Sequence, residues 1–251
     1  MRTLQAAPRT YMLCTSPRSG STMLCGMLAA TGVAGAPQSY FHRPDISSWA
    51  RGMDLPDNAP LADIISAVHG TGTHGLTGIR LQDHSRAFLM DKLAQYGPTD
   101  PQRIEAAFGP TRYIWLRRTD KLAQAISVLR AEQTGLWHGN ADGTDLERIT
   151  PSRDDGYDAE AITAQINAFT ASDRTWLNWF STHGITPWSL TYETLVDDPQ
   201  TSLRMILIHL GLDQDIADDI TPPTRKLADA TSDNWTARYR ADVLAKGGDF
   251  A

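Results

Sequence analysis

The chain has 251 residues, 41% of them hydrophobic, and no Pro/Ser-rich linker divides it, so one domain spanning 1–251 with a sizeable core is expected. A net charge of −6, from 23 basic and 29 acidic residues, argues against broad nucleic-acid binding, which needs a basic surface, but not against a small anion held by a local cluster of donors. No apolar run reaches the roughly eighteen residues of a membrane span and the N-terminus lacks a signal-like stretch; with Cys14 and Cys25 reading as buried free thiols, a soluble, cytoplasmic protein is expected.

Thr10 to Cys14 reads as a short buried strand, and Thr22 to Ala30 as a helix with Met23, Leu24, Met27 and Leu28 on one face, stopped by Gly32. Pro37 to Pro60, with several prolines, reads as a long irregular loop of the kind that carries function or moves. Leu61 to Val68 suggests a helix, His74 to Gln82 a second strand, and Ser85 to Tyr96 a helix ended by Gly97 and Pro98. Arg112 to Arg118 suggests a third strand, and Asp120 to Leu136 repeats Leu122, Ile126 and Leu129 at helical spacing. Gly139 to Gly156, rich in Gly, Asp and Thr, reads as a mobile loop. Asp158 to Phe180 reads as a long helix, Thr186 to Glu193 as a fourth strand, and Pro199 to Leu210 as a helix with Asp198 as cap and Gly211 just past its end. The tail from Thr221 is polar, with no core stripe before Trp235 and Tyr239. Strands alternating with helices predict a three-layer, P-loop-like α/β domain with a central parallel sheet flanked by helices, and ligands bind beyond the carboxyl ends of such strands.

The stretch YMLCTSPRSGSTML, Tyr11 to Leu24, is then a strand, a polar turn and a helix. Free backbone N–H groups and the positive end of the helix dipole meet at such a turn. Gly20 lets the backbone approach an anion, Ser19, Ser21 and Thr22 offer hydroxyls, and Arg18 offers a planar fork of donors. The set reads as an anion cradle, with an ordinary serine-rich capped helix start as the alternative. It is not the nucleotide triphosphate loop G-x-x-x-x-G-K-[ST], because Ser21 follows Gly20 and the cation precedes the glycine by two.

SPRSGST, Ser16 to Thr22, resembles the 5′-phosphosulfate loop of sulfotransferases that use 3′-phosphoadenosine-5′-phosphosulfate (PAPS). LRRTDKLAQAIS, Leu116 to Ser127, supplies the arginine and serine that this family sets against the 3′-phosphate, here Arg118 and Ser127, nine apart. That spacing is similar to the bacterial trehalose-type, or glycolipid, sulfotransferases, which the chain resembles most. ATGVAGAPQSYF (Ala30 to Phe41), RAEQTGLWHG (Arg130 to Gly139), LTYETLVDDPQTSLRMILIHLGL (Leu190 to Leu212) and RKLADATSDNWTARYR (Arg225 to Arg240) extend the resemblance to most of the chain. In the last of these, Arg225 or Lys226 would reach the 3′-phosphate; Tyr192 and Glu193 read as a structural strand end.

The resemblance implies in-line transfer of a sulfuryl group from PAPS to a hydroxyl of a carbohydrate or glycolipid acceptor, with the bisphosphate PAP as product and no metal. Arg18, Ser19, Gly20, Ser21 and Thr22 would hold the 5′ end, and Arg80 would stand near the sulfuryl group. Ser39 occupies the place where this family carries a glutamate base, and a serine hydroxyl cannot take that role unaided. His42 is the expected substitute and His84 its rival. Ser39, Tyr40, Phe41, His84 and Trp137 are the candidate acceptor-side residues. A homodimer is expected from the same resemblance. A kinase-like phosphotransferase and a catalytically silent nucleotide-binding homologue are the competing readings.

Overall fold

The computed structural model describes residues 9–139, 142, 144–148, 156–224, 227 and 229–247. Its strands are β1 (Thr10–Thr15), β2 (Thr77–Gln82), β3 (Thr111–Arg117), β4 (Leu136–Gly139), β5 (Asp145–Arg148) and β6 (Trp188–Thr191). Four of them form a parallel sheet in the order β2-β1-β3-β6, while β4 and β5 make a separate antiparallel hairpin. The helices are α1 (Ser21–Ala30), α2 (Ile46–Gly52), α3 (Leu61–Gly70), α4 (Asp83–Lys92), α5 (Asp100–Phe108), α6 (Lys121–Thr134), α7 (Ala159–Thr182), α8 (Tyr192–Asp197), α9 (Pro199–Leu210) and α10 (Ala230–Ala245). No helix among the described residues is long and apolar enough to cross a membrane.

Strand β1 explains the layering. All six of its residues are buried, as expected for an interior strand of a parallel sheet covered on both faces. Tyr11 and Leu13 point into a core shared with Leu24 and Leu28 of α1 and Leu203 and Leu207 of α9. Met12 and Cys14 point the other way, into a core built from Val68 of α3, Leu89 of α4, Phe108 of α5 and Trp176 of α7. The two-residue repeat of a strand thus feeds two helical layers, which is the predicted three-layer architecture. A third cluster, with Ile126 of α6, Ile162 of α7 and Trp235 and Tyr239 of α10, docks the last helix against the middle of the chain.

Several local expectations change. The supposed irregular stretch from Pro37 to Pro60 holds α2, whose cap Asp45 accepts from Ser48 N at 2.8 Å and whose buried Trp49 donates to Arg43 O at 2.6 Å. Earlier in that stretch Gln38 bridges to Ile79 beside β2, and Arg80 N donates to Gln38 O at 3.0 Å. The helix expected over Ser85 to Tyr96 starts at Asp83 and stops at Lys92, followed by a 3₁₀ turn, Ala94–Tyr96; α5 was not anticipated. Gly135, left-handed at φ 68°, ends α6, so Leu136 opens the hairpin that occupies part of the supposed loop. Strand β6 ends at Thr191, whose hydroxyl accepts from Thr194 N at 3.2 Å, so Tyr192 and Glu193 begin α8 instead of ending a strand.

Because Leu13 is fully buried in the interior strand, Leu13→Ala is expected to lower unfolding stability by about 2–5 kcal/mol in urea titration. A loss under about 1 kcal/mol would contradict this packing.

Candidate functional site

The turn from Ser16 to Gly20 leaves the carboxyl end of β1 and is held from three sides. Gln124 of α6, fully buried, donates its Nε2 to Ser16 Oγ at 3.0 Å and Pro17 O at 2.7 Å. Trp176 of α7 donates its indole N–H to Thr15 O at 3.1 Å. Ser19 turns its hydroxyl inward, 2.7 Å from Ser16 O and 2.5 Å from Thr15 Oγ1. Gly20 caps α1 at φ 85°, and a Cβ there would lie 2.8 Å from Tyr192 Cδ2. Glycine is therefore required both by the left-handed backbone and by the tyrosine ring. Among the described residues no side chain caps α1 and its first turn holds no acidic residue, so its N–H groups and dipole are open to an anion.

Two guanidinium groups converge on this turn. Arg18 Nε donates to Ser127 Oγ at 2.9 Å, and its Nη1 donates to Trp137 O. Arg118, one residue past β3, donates its Nη1 to Arg18 O at 3.4 Å and lies over the Tyr192 ring, 4.3 Å from the centroid. Burial and then the charge of Arg118 push the Arg18 pKa down to about 10; burial likewise lowers that of Arg118. Neither arginine forms an ion pair among the described residues, and the buried Arg118 Nε has no hydrogen-bond partner there. Glu193 fixes the segment after Arg118 by accepting from Thr119 N and Asp120 N at 3.1 Å. Burial opposes the Glu193 charge, yet these amides together hold its carboxyl below the usual value.

Arg18, Gly20, Ser21, Thr22, Arg118, Ser127 and Trp137 line one cavity of about 760 Å³, together with Tyr192 and His138. Beside it, Arg80 Nε donates to Ser39 Oγ at 2.8 Å and Nη1 donates to Thr22 Oγ1 at 3.0 Å. His138, on β4, brings Nε2 to 3.1 Å from Thr22 Oγ1 and 3.5 Å from Glu147 Oε2. Burial, then Arg18 and Arg80, lower its pKa to about 4, so at neutral pH the ring is neutral and its approach to Glu147 is not an ion pair.

The other expected residues lie elsewhere. His42 and His84 are exposed and meet edge to face with ring centroids 5.2 Å apart, outside the cavity lining. Burial, then His84, Arg43 and Arg80, lower the His42 pKa. Tyr40 gives its hydroxyl to Ala36 O at 2.5 Å and Thr71 Oγ1 at 2.9 Å. Phe41 is fully buried against Trp49 and Phe108 and so packs the core instead of lining an acceptor pocket. Arg225 and Lys226 lie outside the described residues. Sequence reasoning did not assign Gln124, Tyr192, Glu193 or His138 to the site. Only the adjacency of Tyr192 and Glu193 to a strand end, and of His138 to Trp137, could have flagged them.

A parallel α/β sheet whose first strand runs into a cationic, glycine-capped helix start presents a set of donors suited to an anion. Residues 10–242 match the Stf0 sulphotransferase family, and the chain belongs to that family. The trehalose 2-sulfotransferase of Mycobacterium tuberculosis (strain ATCC 35801 / TMC 107 / Erdman) is 29% identical to it, over 97% of this chain and 99% of that protein. The trehalose 2-sulfotransferase of Mycolicibacterium smegmatis (strain ATCC 700084 / mc(2)155) is also 29% identical, over 96% of this chain and 97% of that protein. A crystal structure of a sulfotransferase from Alicyclobacillus acidocaldarius aligns over 98% of both chains with a TM-score of 0.44 and 14% identity.

Gly20→Ala is expected to destabilise the fold by at least about 1 kcal/mol, from the left-handed backbone alone, with a further loss from the Tyr192 contact. An unchanged urea midpoint would contradict the geometry of the turn.

Proposed function

We propose that the protein transfers a sulfuryl group from PAPS to a hydroxyl of a sugar or glycolipid acceptor. The observation that carries this reading is the pair Arg18 and Arg118, held together without a carboxylate partner among the described residues, one with an orphaned buried Nε. Buried cations and donors of this kind call for an anionic ligand. The cavity of about 760 Å³ falls in the range of nucleotide-sized sites.

In this reading Arg118 and Ser127 bind the 3′-phosphate, with Arg225 or Lys226 assisting. Ser127 accepts from Arg18, which leaves its own hydroxyl hydrogen free to donate. Arg18, the N–H groups at Gly20 and Ser21, and Thr22 bind the 5′ end. When bound, PAPS supplies a sulfuryl group on a phosphate leaving oxygen. Arg18 then stabilises the charge that grows on that oxygen, and Arg80, braced by Ser39 and Thr22, neutralises the sulfuryl oxygens. Because the charge-stabilising groups are already held by the fold, little reorganisation is needed at the moment of transfer. Support for a sugar acceptor comes from the trehalose 2-sulfotransferases to which the chain is similar over nearly its full length.

Calorimetry should show the bisphosphate PAP binding in preference to ATP with Mg²⁺, and Arg118→Ala should weaken PAP by about 10- to 100-fold, the cost of a lost charged hydrogen bond. Preference for ATP, or PAP binding indifferent to Arg118, would overturn the proposal.

A further inference from the structure

We infer that His138, on the hairpin outside the main sheet, is the proton acceptor for the transfer. The inference rests on the sulfotransferase reading. An acceptor hydroxyl has a high pKa and gains roughly a hundredfold or more from a base within reach. Ser39 cannot serve: its hydroxyl accepts from Arg80 Nε and has no basic lone pair of the needed strength. His42 and His84 face solvent beside each other, outside the cavity lining. His138 alone of these histidines lines the cavity.

Its placement couples it to the transfer end of the cradle. Thr22, in the first turn of α1, accepts from Arg80 and lies 3.1 Å from His138 Nε2. The cation assigned to the sulfuryl oxygens and the imidazole therefore share one hydroxyl. The adjacent Trp137 carbonyl accepts from Arg18, so β4 is fixed against the same turn. Glu147 of β5, 3.5 Å from Nε2, stands where it stabilises an imidazolium. Nδ1 makes no hydrogen bond among the described residues.

The charged groups facing the ring are Arg18 from the cradle turn, Arg80 from β2 and Glu147 from β5. After burial, the two arginines disfavour protonation, so the ring starts neutral; with the Nε2 hydrogen facing Thr22 Oγ1 and Glu147, the lone pair lies on Nδ1. Donor phosphate and sulfuryl charge would offset those arginines and make the ring more basic in the loaded site. The acceptor O–H bond then breaks toward His138 as its oxygen bonds to sulfur. The S–O bond to the donor phosphate breaks with its electron pair left on the phosphate oxygen, and His138 becomes an imidazolium.

The test compares wild-type protein, His138→Gln and His42→Ala. Sulfuryl transfer from PAPS is followed to trehalose, and to water where no sugar is accepted, across pH 4 to 8. PAP binding is measured in two buffers of different ionisation enthalpy. The expected result is a rate about 100-fold lower in His138→Gln with loss of the acid limb of the pH profile. PAP affinity stays within about fivefold, and the proton uptake on PAP binding is reduced. A larger rate loss in His42→Ala, or an intact acid limb and uptake in His138→Gln, would overturn the inference. If His138→Gln does not fold, Glu147→Gln should move the acid limb to lower pH, because the imidazolium loses a stabilising charge; an unmoved limb would overturn it equally. Failure of wild-type protein to bind PAP or to release sulfate from PAPS would instead sink the sulfotransferase reading itself.

Discussion

Two arginines meet just past the carboxyl ends of β1 and β3, the Arg118 guanidinium donating to the backbone carbonyl of Arg18. Burial lowers the pKa of both, Arg118 lowers that of Arg18 further, and neither forms an ion pair among the described residues. Such a pair is costly to hold in a folded chain without a counter-charge, because burial weakens hydration while like charges repel. Glu147, Asp120 and Glu193 act on the pair only through space, while its direct partners are neutral: a serine, backbone carbonyls and the face of a tyrosine ring. They orient the two cations without cancelling them. In the proposed function this positive charge receives a ligand that brings its own negative charge.

The rest of the fold serves that arrangement. Parallel strands end together at one edge of the sheet, which brings the turn after β1 and the segment after β3 side by side. Gln124 and Trp176 clamp the first of these, and Glu193 clamps the second through two backbone amides. Tyr192 lies against both, close enough to Gly20 to exclude a Cβ and stacked on Arg118. The β4–β5 hairpin closes the far side through Trp137 and His138. Rigid scaffolding around a charged pocket is what transition-state stabilisation by fixed dipoles and cations requires.

Much of this was legible in the chain. The strand–turn–helix around Arg18 showed because its glycine, hydroxyls and cation are contiguous between two apolar segments. Arg118 and Ser127 came only from the resemblance of Leu116 to Ser127 to a sulfotransferase segment; periodicity placed the strand and helix that carry them, not their roles. The hairpin did not show, since its strands are four residues each and embedded in Gly, Asp and Thr that read as loop. Helix α5 escaped because only Ile104 and Phe108 of its nine residues are buried. The site roles of Gln124 and His138 depend on partners 108 and 116 residues away, a distance over which no local pattern carries information. Phe41 shows the reverse error: an aromatic beside a motif is as readily a core residue as a ligand contact.

In the proposed function the paired arginines form the two ends of one bisphosphate site. A crystal structure with PAP tests it most directly. The 3′-phosphate should lie within hydrogen-bond distance of Arg118 Nε and Ser127 Oγ, and the 5′-phosphate on the N–H groups at Gly20 and Ser21 beside Arg18. A PAP molecule bound elsewhere, or one whose phosphates leave Arg118 Nε without a partner, would contradict it.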